Sequence, residues 1–325
     1  MTDHAIRFST VGGADVLRYD SVEVGDPRPG EVRVRHTAIG INFIDVYHRN
    51  GLYPVPLPCG IGLEAAGVVE AVGSGVVDFA EGDRVGYGLG PVGAYSTRRV
   101  IAADMLVPLP GLISDDVAAA AMLKGGTTEF LVERCAKVEA GQTVLVHAAA
   151  GGVGQLLVQW LRATGARIIA TAGTSDKATI AREAGADEVI LYRDTDVAAS
   201  VADLTNGVGV DVVFDGVGRD TWSGSLKSLR RRGLLVCYGN ASGPVSPVDL
   251  GILARSGSLF VTRPTMFDYY TTKDDRRTGW GKLFDRIIDG SLTVTIGQRF
   301  ALADAAAAHR ALEARETTGS TILLP

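Results

Sequence analysis

The chain has 325 residues, 46% of them apolar and 21% charged, with 32 Lys and Arg against 37 Asp and Glu for a formal net charge of −5. That length exceeds one compact core and suits two domains. The composition excludes a disordered chain, and the acidic balance excludes a general nucleic-acid binder, which would carry a basic patch. The three cysteines, Cys59, Cys135 and Cys237, are odd in number and far apart. They exclude a disulfide framework and point to a reducing compartment. The opening stretch MTDHAIRFS shows no secretory signal, and no apolar run reaches the roughly 18 residues of a membrane span. The cytoplasm is the expected location.

From about 1 to 123, short strand patterns at 31–38, 66–72 and 83–87 are broken by turns such as Asp26-Pro27 and Gly73-Ser74-Gly75. Such spacing predicts a barrel-like or sandwich-like β domain. From about 124 to 262 the texture changes. Strands are expected at 143–147, 167–171, 188–192, 211–215, 234–238 and 258–262, with helices near 153–164, 176–184 and 220–232. The alternation predicts βαβ units and a parallel sheet. Glycines 165, 185 and 233 follow these helices, as left-handed C-caps would. The run Arg230-Arg231-Arg232 reads as the last turn of the third, where cations suit the dipole. Six strands complete a dinucleotide-binding fold. The stretch 263–325 carries helices near 272–289 and 303–314 and a strand at 321–324. It is too short for a domain, so the chain is expected to return and complete the first one.

The segment 143–154 passes from a strand through small residues into a helix and fits A-x-G-x-x-G, with Ala149, Gly151 and Gly154 in the three places. The middle glycine lets backbone approach a pyrophosphate, the last lets helix and strand pack closely, and the helix N-terminus offers free N–H groups. An NAD site would place Asp or Glu about 20 residues further on, at the second strand's end. Here that tip, residues 171–174, is neutral, and Lys177 follows where an ammonium can meet a 2′-phosphate. Asp176 dissents, but it suits the first turn of a helix. The reading is NADPH.

Zinc needs several Cys, His or carboxylate ligands at usable spacing. The five histidines form no H-x-H or H-E-x-x-H pair, and the cysteines form no C-x-x-C. A set of Asp45, His48, Cys59 and Glu64 is conceivable, but Cys59 reads as a small turn residue and Glu64 as a local hydrogen-bond acceptor. No metal is expected. Tyr269 and Lys273 have the spacing of a short-chain dehydrogenase pair, but the nucleotide turn begins after 140 residues, and Thr272 with Asp275 reads as a helix cap.

Several motifs together carry a resemblance over essentially the whole length. They include Gly40-Ile-Asn-Phe-Ile-Asp45, Arg49-Asn-Gly-Leu-Tyr-Pro54, Gly82-Asp-Arg-Val85, His147-Ala-Ala-Ala-Gly-Gly-Val-Gly154, Val217-Gly-Arg-Asp-Thr-Trp222, Tyr238-Gly-Asn240 and Val261-Thr-Arg-Pro264. The chain resembles the quinone oxidoreductases of the zinc-free branch of the medium-chain dehydrogenase/reductase superfamily, which includes ζ-crystallin. The resemblance implies an α/β fold, a doubly wound Rossmann sheet inserted in a GroES-like β-barrel domain. The barrel domain would be 1–123 completed by 263–325, and the NADPH-binding Rossmann domain 124–262. Zinc-binding relatives carry Cys where this chain has Asn42 and Gly-His-Glu where it has Gly62-Leu63-Glu64. The family's contacts imply Asn42, Phe43, Asp45 and Val46 beside the nicotinamide and Gly152 and Val153 at the pyrophosphate. They imply Gly173, Thr174, Lys177 and Tyr192 around the adenosine phosphate and Val217, Tyr238, Gly239, Asn240 and Ala241 at the strand ends. Arg263, Pro264, Thr265 and Arg315 would close over the cofactor. Glu129 stands where close relatives carry an aromatic residue and would change polarity near the nicotinamide.

The activity so implied is reduction of a quinone by NADPH. Negative charge would develop on the quinone oxygen, and without metal it needs hydrogen-bond donors. Asn42, Tyr47 and Tyr53 are the candidates; the alternatives are a turn-stabilising amide and core or rim tyrosines. Two other activities stay open: reduction of α,β-unsaturated carbonyls, and a non-catalytic NADPH-binding structural or sensor protein. The strand 258–262, last in the sheet, would need cover, and the resemblance implies a homodimer. The expected partners are a small quinone and a second copy, with no nucleic acid and no membrane.

Overall fold

A computed structural model describes residues 2 to 325. The chain divides into two compact units. The first runs to Gly126 and takes in Tyr270–Asp289 and Val294–Pro325; the second comprises Thr127–Tyr269 and Gly290–Thr293. The division after Gly126 falls inside a helix, where composition does not mark it.

In the first unit the elements are β1 (Asp3–Phe8), β2 (Arg18–Val22), β3 (Glu31–Ile41), α1 (Phe43–Asn50), β4 (Cys59–Gly60), β5 (Glu64–Val72), β6 (Arg84–Tyr87), β7 (Arg98–Ala102), β8 (Val107–Pro108) and α2 (Asp115–Glu129). β3 organises them. Its first half alternates, with Val32, Val34 and His36 buried and Arg35 exposed, and its second half, Ala38–Ile41, is buried throughout. Alternation is the period of a half-covered strand. One edge of β3 pairs with β5; the other pairs with β7 over Glu31–Arg35. α1 starts at Asn42, whose backbone N–H donates to Asp45 Oδ2 at 2.8 Å, and stops at Gly51 with φ 83. Only a left-handed residue closes the helix that way, hence glycine. Cys59 lies in β4, paired antiparallel with β1, rather than in a turn.

The second unit holds β9 (Thr143–Val146), α3 (Gly152–Thr164), β10 (Arg167–Ala172), α4 (Ser175–Glu183), β11 (Glu188–Leu191), α5 (Val197–Leu204), β12 (Val210–Asp215), α6 (Trp222–Ser228), β13 (Leu229–Cys237), α7 (Gly251–Arg255), β14 (Phe260–Thr262) and α8 (Met266–Tyr269). A π-helical turn, Phe130–Cys135, follows α2. The sheet order is β11-β10-β9-β12-β13-β14, all parallel. The order reverses between β9 and β12, and ligands of such sheets bind at the carboxyl ends of the strands flanking that switch. The core beneath is Leu145, Ile169, Val213, Leu235 and their neighbours.

Two expectations are corrected here. The helix expected to reach 232 ends at Ser228, and the three arginines lie in β13. The ladder with β12 jumps from Val210–Leu229 to Val212–Leu234, so Arg230–Gly233 loop out as a bulge, with Arg232 at φ 58. Arg230 Nε donates to Asp211 Oδ1 at 2.6 Å on the neighbouring strand, which holds the extra residues against the sheet. Gly233 therefore sits in a strand bulge and caps no helix. Second, α5 was not foreseen; Asp196 caps it, accepting from Ala199 N at 2.8 Å.

The chain then returns to the first unit through α9 (Lys273–Ile288), β15 (Ile296–Ala301), α10 (Ala305–Glu313) and β16 (Ser320–Leu324). α9 opens with the expected cap, Thr272 and Asp275 bonding reciprocally. β16 pairs antiparallel with β3 at Ile39–Ile41 and parallel with β15. β3 thus has β5 on one side and β7 then β16 on the other.

Candidate functional site

At the end of β9 the backbone turns through Ala148, whose φ is 52, into α3. A non-glycine residue there is held by its surroundings. A Cβ on Gly154 would overlap the Ala148 carbonyl, so the third glycine is needed for the close turn. Beneath the turn runs a buried polar chain. Asp215 Oδ2 accepts from Ser225 Oγ at 2.7 Å, and Ser225 Oγ meets His147 Nε2 at 3.0 Å. His147 Nδ1 meets Thr171 Oγ1 at 3.2 Å, and Thr171 Oγ1 accepts from Ala148 N at 3.3 Å. Burial keeps the His147 imidazole below its usual range, with Asp215 acting the other way. The chain ties the ends of β9, β10 and β12 to one another and fixes the turn. Asp215 Oδ1 also accepts from Val217 N and Gly218 N, at 2.8 and 3.0 Å.

The other nucleotide-face residues gather on the same carboxyl edge. Gly173 and Thr174 follow β10, and the Thr174 hydroxyl caps α4 by accepting from Lys177 N. A Cβ on Gly173 would crowd the Tyr192 hydroxyl, 2.6 Å away. Val217 and the Tyr238–Ala241 stretch are knitted together by Ala241 N to Gly216 O at 3.2 Å and Ser242 N to Val217 O at 2.8 Å. Arg263 donates to Cys237 O at 2.7 Å, followed by Pro264 and Thr265 ahead of α8. This edge fits a dinucleotide: a glycine turn without room for side chains, a helix of 13 residues opening at Gly152 next to Val153, and a neutral β10 tip. Glu129 is buried and ion-paired, accepting from Arg134 at 3.1 and 2.7 Å. Its charge is thus balanced within its own unit, beside Phe130 stacked on Tyr269 at 4.6 Å.

In the first unit the foreseen residues cluster around α1. Asn42 is buried, and its amide donates to Glu64 Oε2 at 2.8 Å. Asp45 is wholly buried; its Oδ2 also accepts from the Tyr95 hydroxyl at 2.9 Å, and burial pushes its carboxyl up to about 7. Here it positions Asn42 and the start of α1. Phe43, Tyr47 and Tyr53 form an aromatic group, Tyr47 meeting Tyr53 edge-on at 5.1 Å. Val46 is buried on the same helix. Arg315 follows α10 at φ 60. A second chain of bonds leads from Tyr95 through His309 Nε2 (3.1 Å) and His309 Nδ1 to Arg49 (3.1 Å).

Several residues here escaped the sequence reading. His147 lies 24 and 78 positions from its partners Thr171 and Ser225, and Ser225 lies 10 from Asp215. Glu64 is no local acceptor: it bonds Asn42, Leu123 N and Lys124, the last 60 positions away. Among the described residues, no group of three or more His, Cys, Asp or Glu is placed to hold a metal ion.

Residues 28–111 match the family model described as alcohol dehydrogenase GroES-like domain, and residues 152–285 match zinc-binding dehydrogenase. A quinone oxidoreductase of Pseudomonas aeruginosa is 52% identical over 98% of this chain and 99% of its own. The chain belongs to the quinone oxidoreductases of the medium-chain dehydrogenase/reductase superfamily. The crystal structure of Escherichia coli quinone oxidoreductase complexed with NADPH superimposes with a TM-score of 0.97 at 46% identity, covering 99% of this chain and 100% of that one. A 2-haloacrylate reductase of Burkholderia sp is 46% identical over 97% of this chain and 96% of its own. Both halves of the expected fold, GroES-like and Rossmann, are therefore present.

Proposed function

We propose that this protein is an NADPH:quinone oxidoreductase that uses no metal. Full-length identity with quinone oxidoreductases carries the reading, and the neutral β10 tip followed by Lys177 supports NADPH over NADH. The bound cofactor supplies a hydride. The chain's part is to hold the nucleotide and the acceptor. Gly152 and Val153 present backbone N–H groups to the pyrophosphate. Gly173, Thr174, Lys177 and Tyr192 take the adenosine phosphate, and Val217, Tyr238, Gly239, Asn240, Ala241, Arg263, Pro264 and Thr265 take the remaining length. Asn42, Phe43, Asp45, Val46, Glu129 and Arg315 complete the proposed cofactor set. Asn42, Tyr47 and Tyr53 are the proposed donors to the acceptor oxygen. The domains are assigned accordingly: 1–123 with 263–325 for the acceptor, 124–262 for NADPH.

A second reading, reduction of an α,β-unsaturated carbonyl, is favoured by the similarity to a haloacrylate reductase. The test is NADPH oxidation with benzoquinone against an enone, repeated with NADH and with a chelator. Rapid turnover with benzoquinone and NADPH, unchanged by the chelator, supports the proposal. A preference for the enone supports the second reading, and NADPH binding without turnover on any acceptor supports a sensor.

A homodimer is also proposed. β14 is the outer strand of its sheet, and Phe260 on it and Leu250 nearby are 61% and 75% exposed. An edge of that kind calls for cover. The three cysteines are unpaired, which suits the cytoplasm.

A further inference from the structure

Three distant segments bring an ammonium, a carboxylate and an amide to one point inside the first unit. Glu64 at the head of β5 is fully buried. Its Oε2 accepts from Asn42 Nδ2 at 2.8 Å and from Lys124 Nζ at 3.4 Å, and its Oε1 accepts from Leu123 N at 2.6 Å. Lys124, on α2, is 6% exposed. Room for the carboxylate is made by a missing side chain: a Cβ on Gly40 would overlap Glu64 Oε2.

Stability does not account for such a pair. Apolar residues of similar volume serve a buried position as well as an ion pair does, or better. The helix that begins at Asn42 is also incompletely satisfied. Among the described residues, two buried side-chain polar atoms have no hydrogen-bond partner, Asp45 Oδ1 and His48 Nδ1. Both lie on α1, three positions apart on one side of the helix that begins at Asn42. Buried polar atoms left open in this way mark a place where a ligand or its waters complete the bonding.

We propose that Lys124 is a catalytic residue: its ammonium, fixed beside Asn42 by Glu64, stabilises the negative charge that reduction leaves on the acceptor oxygen. This rests on the reading of the protein as a quinone reductase. The quinone gains one proton and two electrons, together the hydride lost by the dihydronicotinamide, and becomes the hydroquinone monoanion. A proton from solvent water then neutralises it. The charge on oxygen is largest between those two events, and a fixed cation in a water-poor site acts on it there. Asn42 adds a directed hydrogen bond, and Glu64 is a positioning residue.

The test uses the full-length protein and a coloured hydroxynaphthoquinone, whose visible absorption reports the ionisation of its hydroxyl. Bound to wild type without NADPH, the dye is expected to ionise at least about one pH unit lower than in water. In Lys124→Met that shift is lost, and kcat with benzoquinone falls about tenfold to a hundredfold, while NADPH affinity by fluorescence titration is unchanged. Lys124→Arg recovers part of both. Because Met at 124 leaves Glu64 buried and unpaired, the double variant Lys124→Met/Glu64→Gln is measured beside it and should show the same losses. An unshifted dye in wild type, or a shift and kcat within twofold of wild type in both Met variants, overturns the proposal. A wild type that shifts the dye but reduces no quinone overturns the quinone reading instead and leaves the cation in place.

Discussion

Arg49 donates two hydrogen bonds to Glu313, at 2.9 and 2.7 Å, across 264 positions of the chain. The same guanidinium reaches Gly12 O and His309 Nδ1. One residue of α1 thus ties the N-terminal strands to the returning C-terminal helix. Its fork geometry is what a lysine cannot copy. Glu313 is 37% exposed and lysine keeps the charge, so Arg49→Lys should lower stability by about 1–2 kcal/mol, the worth of the charge-assisted hydrogen bonds lost. Urea unfolding of the first unit measures it. Unchanged unfolding would mean that the return of the chain is secured elsewhere.

Acid should unfold the protein through its buried imidazoles. His36 gives Nδ1–H to Ser96 O at 2.7 Å and accepts from Tyr87 at 2.9 Å through Nε2. Burial holds His36 and His309 down to about 3. A base lowered on folding stabilises above its unfolded value, and that stability is lost as pH falls towards the folded one. Each imidazole therefore removes about 2 kcal/mol between pH 7 and pH 5. Asp45 runs the other way. Raised to about 7 by burial, it favours the fold at low pH and loses that contribution as pH rises through 7. Between pH 7 and pH 5, His36→Asn should flatten the decline in denaturant midpoint and Asp45→Asn should steepen it. Parallel slopes in all three proteins would refute the assignment.

Lys177→Ala should weaken NADPH binding about tenfold or more, the worth of a charge-assisted hydrogen bond, and leave NADH binding nearly unaltered. Fluorescence titration of both nucleotides separates a phosphate contact from a general loss of α4. Equal weakening of both would place the 2′-phosphate elsewhere.

Phe260→Lys adds a charge to the outer strand β14 and should turn the proposed dimer into monomers with turnover per chain retained. Light scattering on wild type and variant decides it. A wild-type monomer at micromolar concentration removes the dimer outright.

How far the sequence could be read follows from the range of the interactions involved. The strand-turn-helix at 143–154 and the caps at Gly165 and Thr272 are local, and they were legible. The arginine run was misread because its partner, Asp211, lies 19 positions back, in the next strand. A run of cations looks alike at a helix end and in a bulge until that partner is placed. Glu64 and Lys124 were both visible as residues, but their pairing depends on β5 meeting α2, which no periodicity announces. Asn42 was found by family motif; that its amide shares a carboxylate oxygen with an ammonium emerged only from the fold.

The place of β16 has a consequence for how the protein is made. β3 emerges early in synthesis, yet along Ile39–Ile41 its pairing partner is Thr321–Leu323. Until that stretch leaves the ribosome, part of the longest strand in its sheet stays open at one edge. The second unit has all six strands of its sheet in hand by Thr262. Domains fold as their segments become available. The nucleotide-binding unit should therefore be complete while the first unit still waits, so that the part of the chain begun first is finished last.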